Sequence, residues 1–172
     1  MNQGIDPLRI RDAAGEIGTV AHGLIEEFFT KEPFNVYEYP AESIAVARLC
    51  YEGFRAFEST NDLECYHAEV PVVHEDMLYG GTLDWVGKIN GEEVLLDFKT
   101  SNNIYMSHRI QQAAYMELYR HEYGVTLEKS YLLHMDKEQG GYELHCYVDM
   151  SAEWEIFKLC LELDRHRIKL DQ

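Results

Sequence analysis

Residues 80–100 read GGTLDWVGKINGEEVLLDFKT, and the fold turns on the Asn90-Gly91 step inside them. Asn-Gly between two β-rich runs is the strongest short hairpin signal, because both central residues of a type I′ turn need positive φ. A two-residue loop pairs Ile89 with Glu92. Counting outward, Asp84 meets Asp97 and Thr82 meets Lys99, with both aspartates on one face of the sheet. Like charges placed directly opposite destabilise a sheet, and Asp is depleted in strands such as TLDWV and VLLDF. A chain that keeps this pair has to neutralise it, and a divalent cation is the simplest means. Lys99 points to the same face as Asp97, two residues away.

The segments on either side extend the pattern. Ile17, Val20, Leu24, Ile25 and Phe28 recur at helical spacing, so 12–31 is expected to be a helix, with Gly15, Gly18 and Gly23 marking close packing. A second helix over 41–59 follows Pro40. LECYHAEVPVV (63–73) reads as a strand that precedes the central hairpin, 81–89 and 92–100. Residues 104–121 return to helix, with Gly124 as the stop. TLEKSYLLHMD and YELHCYVDM form a second hairpin around Gln139-Gly140-Gly141, in which His134 and His145 are expected to face each other as structural residues. A last helix over 152–169 is expected to be capped by Ser151. The sum is an α/β fold with a mixed central sheet of about five strands flanked by helices. It forms one domain over 1–172, with 1–14 as a flexible lead-in.

Composition narrows the function. Fifteen basic against thirty-one acidic residues give a net charge of −16, which disfavours a generic nucleic-acid binder, since those are basic. Any phosphate contact must then rest on bound metal and a few local cations. The four cysteines are scattered without a CxxC, so free thiols in a reducing, cytoplasmic setting are expected. No apolar run approaches membrane-spanning length.

Two carboxylates, a cation site and an ammonium are the groups with which a metal-dependent hydrolase cleaves a phosphodiester. Asp84 and Asp97 would ligate Mg²⁺ or Mn²⁺ together with the Phe98 carbonyl, and Lys99 would orient or activate the attacking water. Glu69 is a weaker third carboxylate, brought beside Asp84 if the loop before β-strand 81–89 centres on Asp76-Met77. His22 lies beside the apolar stripe of the first helix, where spacing alone suits a boundary residue. Gln111 and Tyr115 share a helix face next to His108, an arrangement that is common on ordinary surfaces.

GTVAH (18–22), GTLD (81–84), DFK (97–99) and Gln111 with Tyr115, in that order, resemble the PD-(D/E)XK nuclease superfamily. More narrowly they resemble its RecB-like exonuclease branch, whose motifs run His, GxxD, (D/E)xK and QxxxY. The resemblance implies a restriction-endonuclease-like core, His22 as a further metal ligand, Lys99 as catalytic, and Gln111 and Tyr115 against the DNA. Arg109 is a weaker DNA-binding candidate. Leu83 stands where the eponymous Pro would precede Asp84. Some relatives hold an iron–sulfur cluster, but no cysteine precedes His22, so none is expected here. The short segment before His22 points to a phage or minimal bacterial type.

The expected function is a Mg²⁺- or Mn²⁺-dependent DNA exonuclease in recombination, repair or phage DNA processing. It would act on DNA with free ends, with a recombination or single-strand-binding protein as partner and no membrane. Two alternatives stay open: a structure-selective endonuclease or RNA-acting nuclease of the same fold, and an inactive acidic interaction module.

Overall fold

The turn forms as its chemistry requires, with Asn90 at φ 53° and Gly91 at φ 86°. A computed structural model describes residues 7–170. The chain runs α1 (Pro7–Thr30), α2 (Ala41–Glu58), β1 (Leu63–His74), β2 (Tyr79–Ile89), β3 (Glu92–Lys99), α3 (Met106–Tyr123), β4 (Lys129–Met135), β5 (Tyr142–Val148) and α4 (Ser151–Leu170). The strands lie in that order in one mixed sheet. β1, β2 and β3 pair antiparallel, β3 and β4 pair parallel across the α3 crossover, and β5 returns antiparallel. The fold is α/β, a five-stranded mixed sheet flanked by helices, as the sequence pattern implies.

Helices cover both faces, which is why Val94 to Phe98 of β3 are buried without alternation. On one face α1 and α2 pack over Trp85, Val94, Leu96, Phe98, Leu133 and Met135. Phe28, Phe29 and Phe54 meet edge to face there, with ring centroids 5.1 to 5.6 Å apart. On the other face α3 lays Leu118 and Tyr119 against Val72, Leu83, Val86 and Leu95, and α4 packs on α3. No described helix is long and apolar enough to cross a membrane.

The central register is the expected one: Ile89 pairs with Glu92 and Trp85 with Leu96. The ladder ends at that pair, one step short of Asp84 and Asp97. The Asn90 turn is clasped to the α2–β1 connection. Its N–H donates to Asp62 O, its Oδ1 accepts from the Asp62 N–H at 2.9 Å, and its Nδ2 donates to Asn61 Oδ1 at 2.8 Å.

Several boundaries shift. α1 begins at Pro7 rather than 12, and residues 1–6 of the expected lead-in lie outside the described residues. α3 starts two residues late but stops as expected at Gly124, in the left-handed region at φ 68°. α4 includes Ser151, and the Trp154 N–H donates to Met150 O, so the cap position falls one residue earlier than expected. The second hairpin also differs: His134 pairs with Glu143, and His145 with Leu132. The cause is Asp136, whose Oδ1 accepts from the Glu138 and Gln139 N–H groups and so opens the turn early.

Of the α1 glycines expected to pack closely, Gly23 does: a Cβ there would sit 2.4 Å from the Phe34 ring. Gly15 faces open space, and Gly53 of α2 abuts backbone instead of a ring, since a Cβ there would meet the Gly141 carbonyl at 2.4 Å. The same substitution should therefore have opposite signs at two helical positions. Gly15→Ala should stabilise by about 0.5–1 kcal/mol through helix propensity. Gly53→Ala should destabilise by about 1–3 kcal/mol, because backbone must move. Urea unfolding of the two variants checks both.

Candidate active site

Where the β2–β3 ladder opens, side chains replace backbone pairing. The Phe98 N–H donates to Asp84 Oδ2 at 2.8 Å, which pins the Asp84 carboxylate over β3. Glu69 occupies the β1 position between Ala68, opposite Trp85, and Val70, opposite Leu83. It is therefore beside Asp84, as the Asp76-Met77 turn predicts. Its φ of 48° breaks the strand's alternation locally. α1 supplies the fourth group: His22 Nδ1 lies 3.3 Å from Glu69 Oε1 and 3.6 Å from Asp84 Oδ2, and His22 Nε2 lies 3.0 Å from Phe98 O. Ligand atoms of His22, Glu69 and Asp84 fall within 4.8 Å of one another.

Asp97 stands beside this cluster rather than in it. Its carboxylate is 1% exposed, and Lys99 Nζ is 2.5 Å from Oδ2. The pair is not aligned as a hydrogen bond, and both Asp97 oxygens lack any other partner. Mutual repulsion of the aspartates is thus only part of the electrostatics, because a buried ion pair holds Asp97. Lys99 also donates to Gln111 Oε1 at 3.0 Å, and Gln111 Nε2 donates to Tyr115 Oη at 2.9 Å. This places Gln111 and Tyr115 in one relay with the lysine. The Tyr115 ring covers Gly81, where a Cβ would approach it to 2.7 Å.

Burial governs the titration of these groups. It raises Asp84 to about 7, with Asp97 adding to the rise and His22 and Lys99 opposing it. Burial likewise holds Asp97 above the usual carboxylate range, against the pull of Lys99. For His22 burial works downward, but the carboxylates of Asp84, Glu69 and Asp97 outweigh it and lift the imidazole to about 9. Burial, reinforced by Asp84 and Asp97, moves Tyr115 to about 12, so its hydroxyl keeps its proton.

The donors present suit a divalent cation. His22, Glu69 and Asp84 converge, with the Phe98 carbonyl and the Asp97 carboxylate alongside, as an oxygen-rich set with one imidazole. Both Asp97 oxygens lack an aligned hydrogen bond despite the Lys99 ion pair, which leaves lone pairs for a cation, since buried polar atoms are almost always satisfied.

No protein-family model matches this sequence, and no curated protein does. The fold, however, matches a solved structure from Eubacterium rectale that carries the provisional description of an exonuclease. The TM-score is 0.58 at 16% identity, over 91% of this chain and 66% of that one. This likeness shows a shared fold. The chain spans just under two thirds of that protein's length.

One expected residue is drawn elsewhere. Arg109 binds Glu153 of α4 and lies over the Tyr147 ring, 5.2 Å from its centroid, so it ties α3 to its neighbours. Two groups escaped the sequence reading. Thr100 Oγ1 sits against Gly18 of α1, and the buried Gln112 accepts from Ser130 Oγ beneath the site. Neither residue stands in a motif, and only the packing of α1 and α3 on β3 and β4 brings them in.

Two variants test this electrostatic arrangement in metal-free protein. Asn at position 84 can still accept from Phe98 while removing a buried charge. Asp84→Asn should therefore melt at the same temperature or higher, and should lose the stabilisation that Mn²⁺ gives the parent. Lys99→Ala strands Asp97 and should cost about 3 kcal/mol at neutral pH. That is the low end for breaking a buried pair, because Asp97 can take up a proton. Melts with EDTA and with Mn²⁺ decide both.

Proposed function

We propose that this chain is a Mg²⁺- or Mn²⁺-dependent deoxyribonuclease, acting as an exonuclease on DNA ends through one nuclease domain over 1–172. The observation that carries the proposal is a pair of adjoining networks, His22 with Glu69 and Asp84, and Asp97 with Lys99, Gln111 and Tyr115, joined where the Phe98 N–H donates to Asp84. Their members are the residues of the four ordered motifs, gathered from α1, β2, β3 and α3, with Glu69 of β1 added to them. The solved relative described provisionally as an exonuclease supports the same reading.

His22, Glu69, Asp84, Asp97 and the Phe98 carbonyl would hold the cation. When bound, it supplies Lewis-acid polarisation of the scissile phosphate and activation of water. The remaining chemistry belongs to the protein. Lys99 presents an ammonium, fixed between Asp97 and Gln111, to the charge that grows on the phosphate oxygens as water attacks in line. Gln111 and Tyr115 keep that ammonium oriented and extend hydrogen-bonding groups toward the strand. Asp84 and Asp97, buried and partly relieved by His22 and Lys99, would repel a bare phosphate, so its approach depends on the cation they would hold. The biological setting we propose is recombination, repair or phage DNA processing, with a recombination or single-strand-binding protein as partner. A cytoplasmic site accords with four free thiols, at Cys50, Cys65, Cys146 and Cys160.

The deciding assay uses end-labelled linear DNA, closed circular DNA and single-stranded RNA, with Mn²⁺ and with EDTA. The expected outcome is mononucleotide release from the linear DNA only, in Mn²⁺ only, abolished in Lys99→Ala and Asp97→Ala. Cutting of the closed circle would point to an endonuclease, and inertness toward every substrate to an interaction module. Because Arg109 is occupied, DNA binding in Ca²⁺ should show a shallow salt dependence, corresponding to about two to four neutralised phosphates. Affinity should fall when Ca²⁺ is replaced by EDTA.

A further inference from the structure

A second cluster of ligand-type side chains lies where β4 and β5 pair, one strand beyond Lys99. His134 sits opposite Lys99 in the parallel ladder and opposite Glu143 in the antiparallel one. Sheet partners project to the same face, and His145, two residues from Glu143, joins them there. One ligand atom from each of His134, Glu143 and His145 falls within 4.8 Å of the others. We infer that these three residues form a separate binding site for a borderline divalent cation of the Zn²⁺ class.

Three observations carry this assignment. The first is the donor set: two imidazoles and a carboxylate are the ligands of three-residue zinc sites that keep a fourth position open. The second is His145 Nε2, which is shielded from water and has no hydrogen-bond partner. It lies 3.5 Å from Glu143 Oε2, in a poor line for a hydrogen bond but close enough for both atoms to share an ion. Buried polar atoms without partners are rare, and an ion is one of the few explanations for them. The third is the support around His134. Its Nε2 is 2.5 Å from the Ser101 carbonyl, which fixes the proton there and leaves the Nδ1 lone pair for a ligand. A backbone carbonyl behind a histidine is the usual device for orienting a metal-binding imidazole.

Another cluster makes a useful contrast. His74, Asp76 and His121 also bring ligand atoms within 4.8 Å of one another, but the two rings stack at 3.8 Å and 16°, so their lone pairs lie in separate parallel planes and do not meet at one ion. His134 and Glu143 also line a cleft of about 720 Å³ that reaches Ser101 and Asn102, just beyond the β3 carboxyl end. With three protein ligands, the fourth position would be available to water or to an anionic group in that cleft.

The experiment is a titration of EDTA-dialysed protein with Co²⁺, read by visible absorption and calorimetry, on the parent, Glu143→Gln, His145→Gln and Asp84→Asn. Glu143 is 74% exposed along its side chain, so its replacement leaves folding intact, and melts of each variant verify this. The expected result is a Co²⁺ spectrum of low coordination number that survives Asp84→Asn. In Glu143→Gln and His145→Gln it should weaken by more than about tenfold, the least that loss of a mere outer partner costs. Co²⁺ binding unchanged in Glu143→Gln and His145→Gln, or lost in Asp84→Asn alone, overturns the site. Either outcome leaves the nuclease reading standing, because that reading rests on Asp84 and its neighbours.

Discussion

The structure depends on burying two carboxylates in the middle of an apolar sheet. Ionised groups are costly to move out of water and persist only when charge or hydrogen bonds compensate them. Most of the compensation comes from two elements, β3 with the Phe98 N–H and Lys99, and α1 with His22, while Glu69 of β1 adds a further negative charge. α3 steadies Lys99 through Gln111 and adds a weaker favourable interaction from His108 to Asp97. Removing the aspartates would leave the β2–β3 ladder no reason to open where it does. The site is in this sense the organising defect of the sheet, and the helices are arranged to satisfy it.

What the sequence revealed follows from how local each determinant is. Asn90-Gly91 set the β2–β3 register, so the neighbourhood of Asp84 and Asp97 was legible in the sequence, whereas Glu69 depended on a turn at Asp76-Met77 that the sequence left open. The positive φ of Glu69 was not legible, because it answers to the site rather than to its own propensity. The ion pair of Arg109 was not legible because its partner, Glu153, lies far along the chain in α4. The His134 register slipped because Asp136 forms its own side-chain turn before the glycines, a choice that competes with the glycine signal. Lys99 was placed on the correct face, but its ion pair with Asp97 needed coordinates.

On the proposed reading, a chain with net charge −16 would have to confine its attraction for a polyanion to a small region. Here the cations near the reaction point are few and already engaged: Lys99 with Asp97 and Gln111, Arg109 with Glu153. Such a surface resists nonspecific adsorption to duplex DNA, since that mode draws on broad basic patches. Engagement would then depend on ions recruited from solution, so that local cation supply governs access as well as chemistry.

The Asn90 clasp bears on the lifetime of the molecule. Asn-Gly is the dipeptide most prone to spontaneous deamidation, because the small glycine lets the following backbone nitrogen attack the side-chain amide. In this turn the amide is held at both ends, by the Asp62 N–H on Oδ1 and by Asn61 Oδ1 on Nδ2. Reaching the attacking geometry requires breaking both. The same clasp that joins the hairpin to the α2–β1 connection thus protects its most fragile covalent link from ageing while the chain stays folded, and exposes that link whenever the chain unfolds.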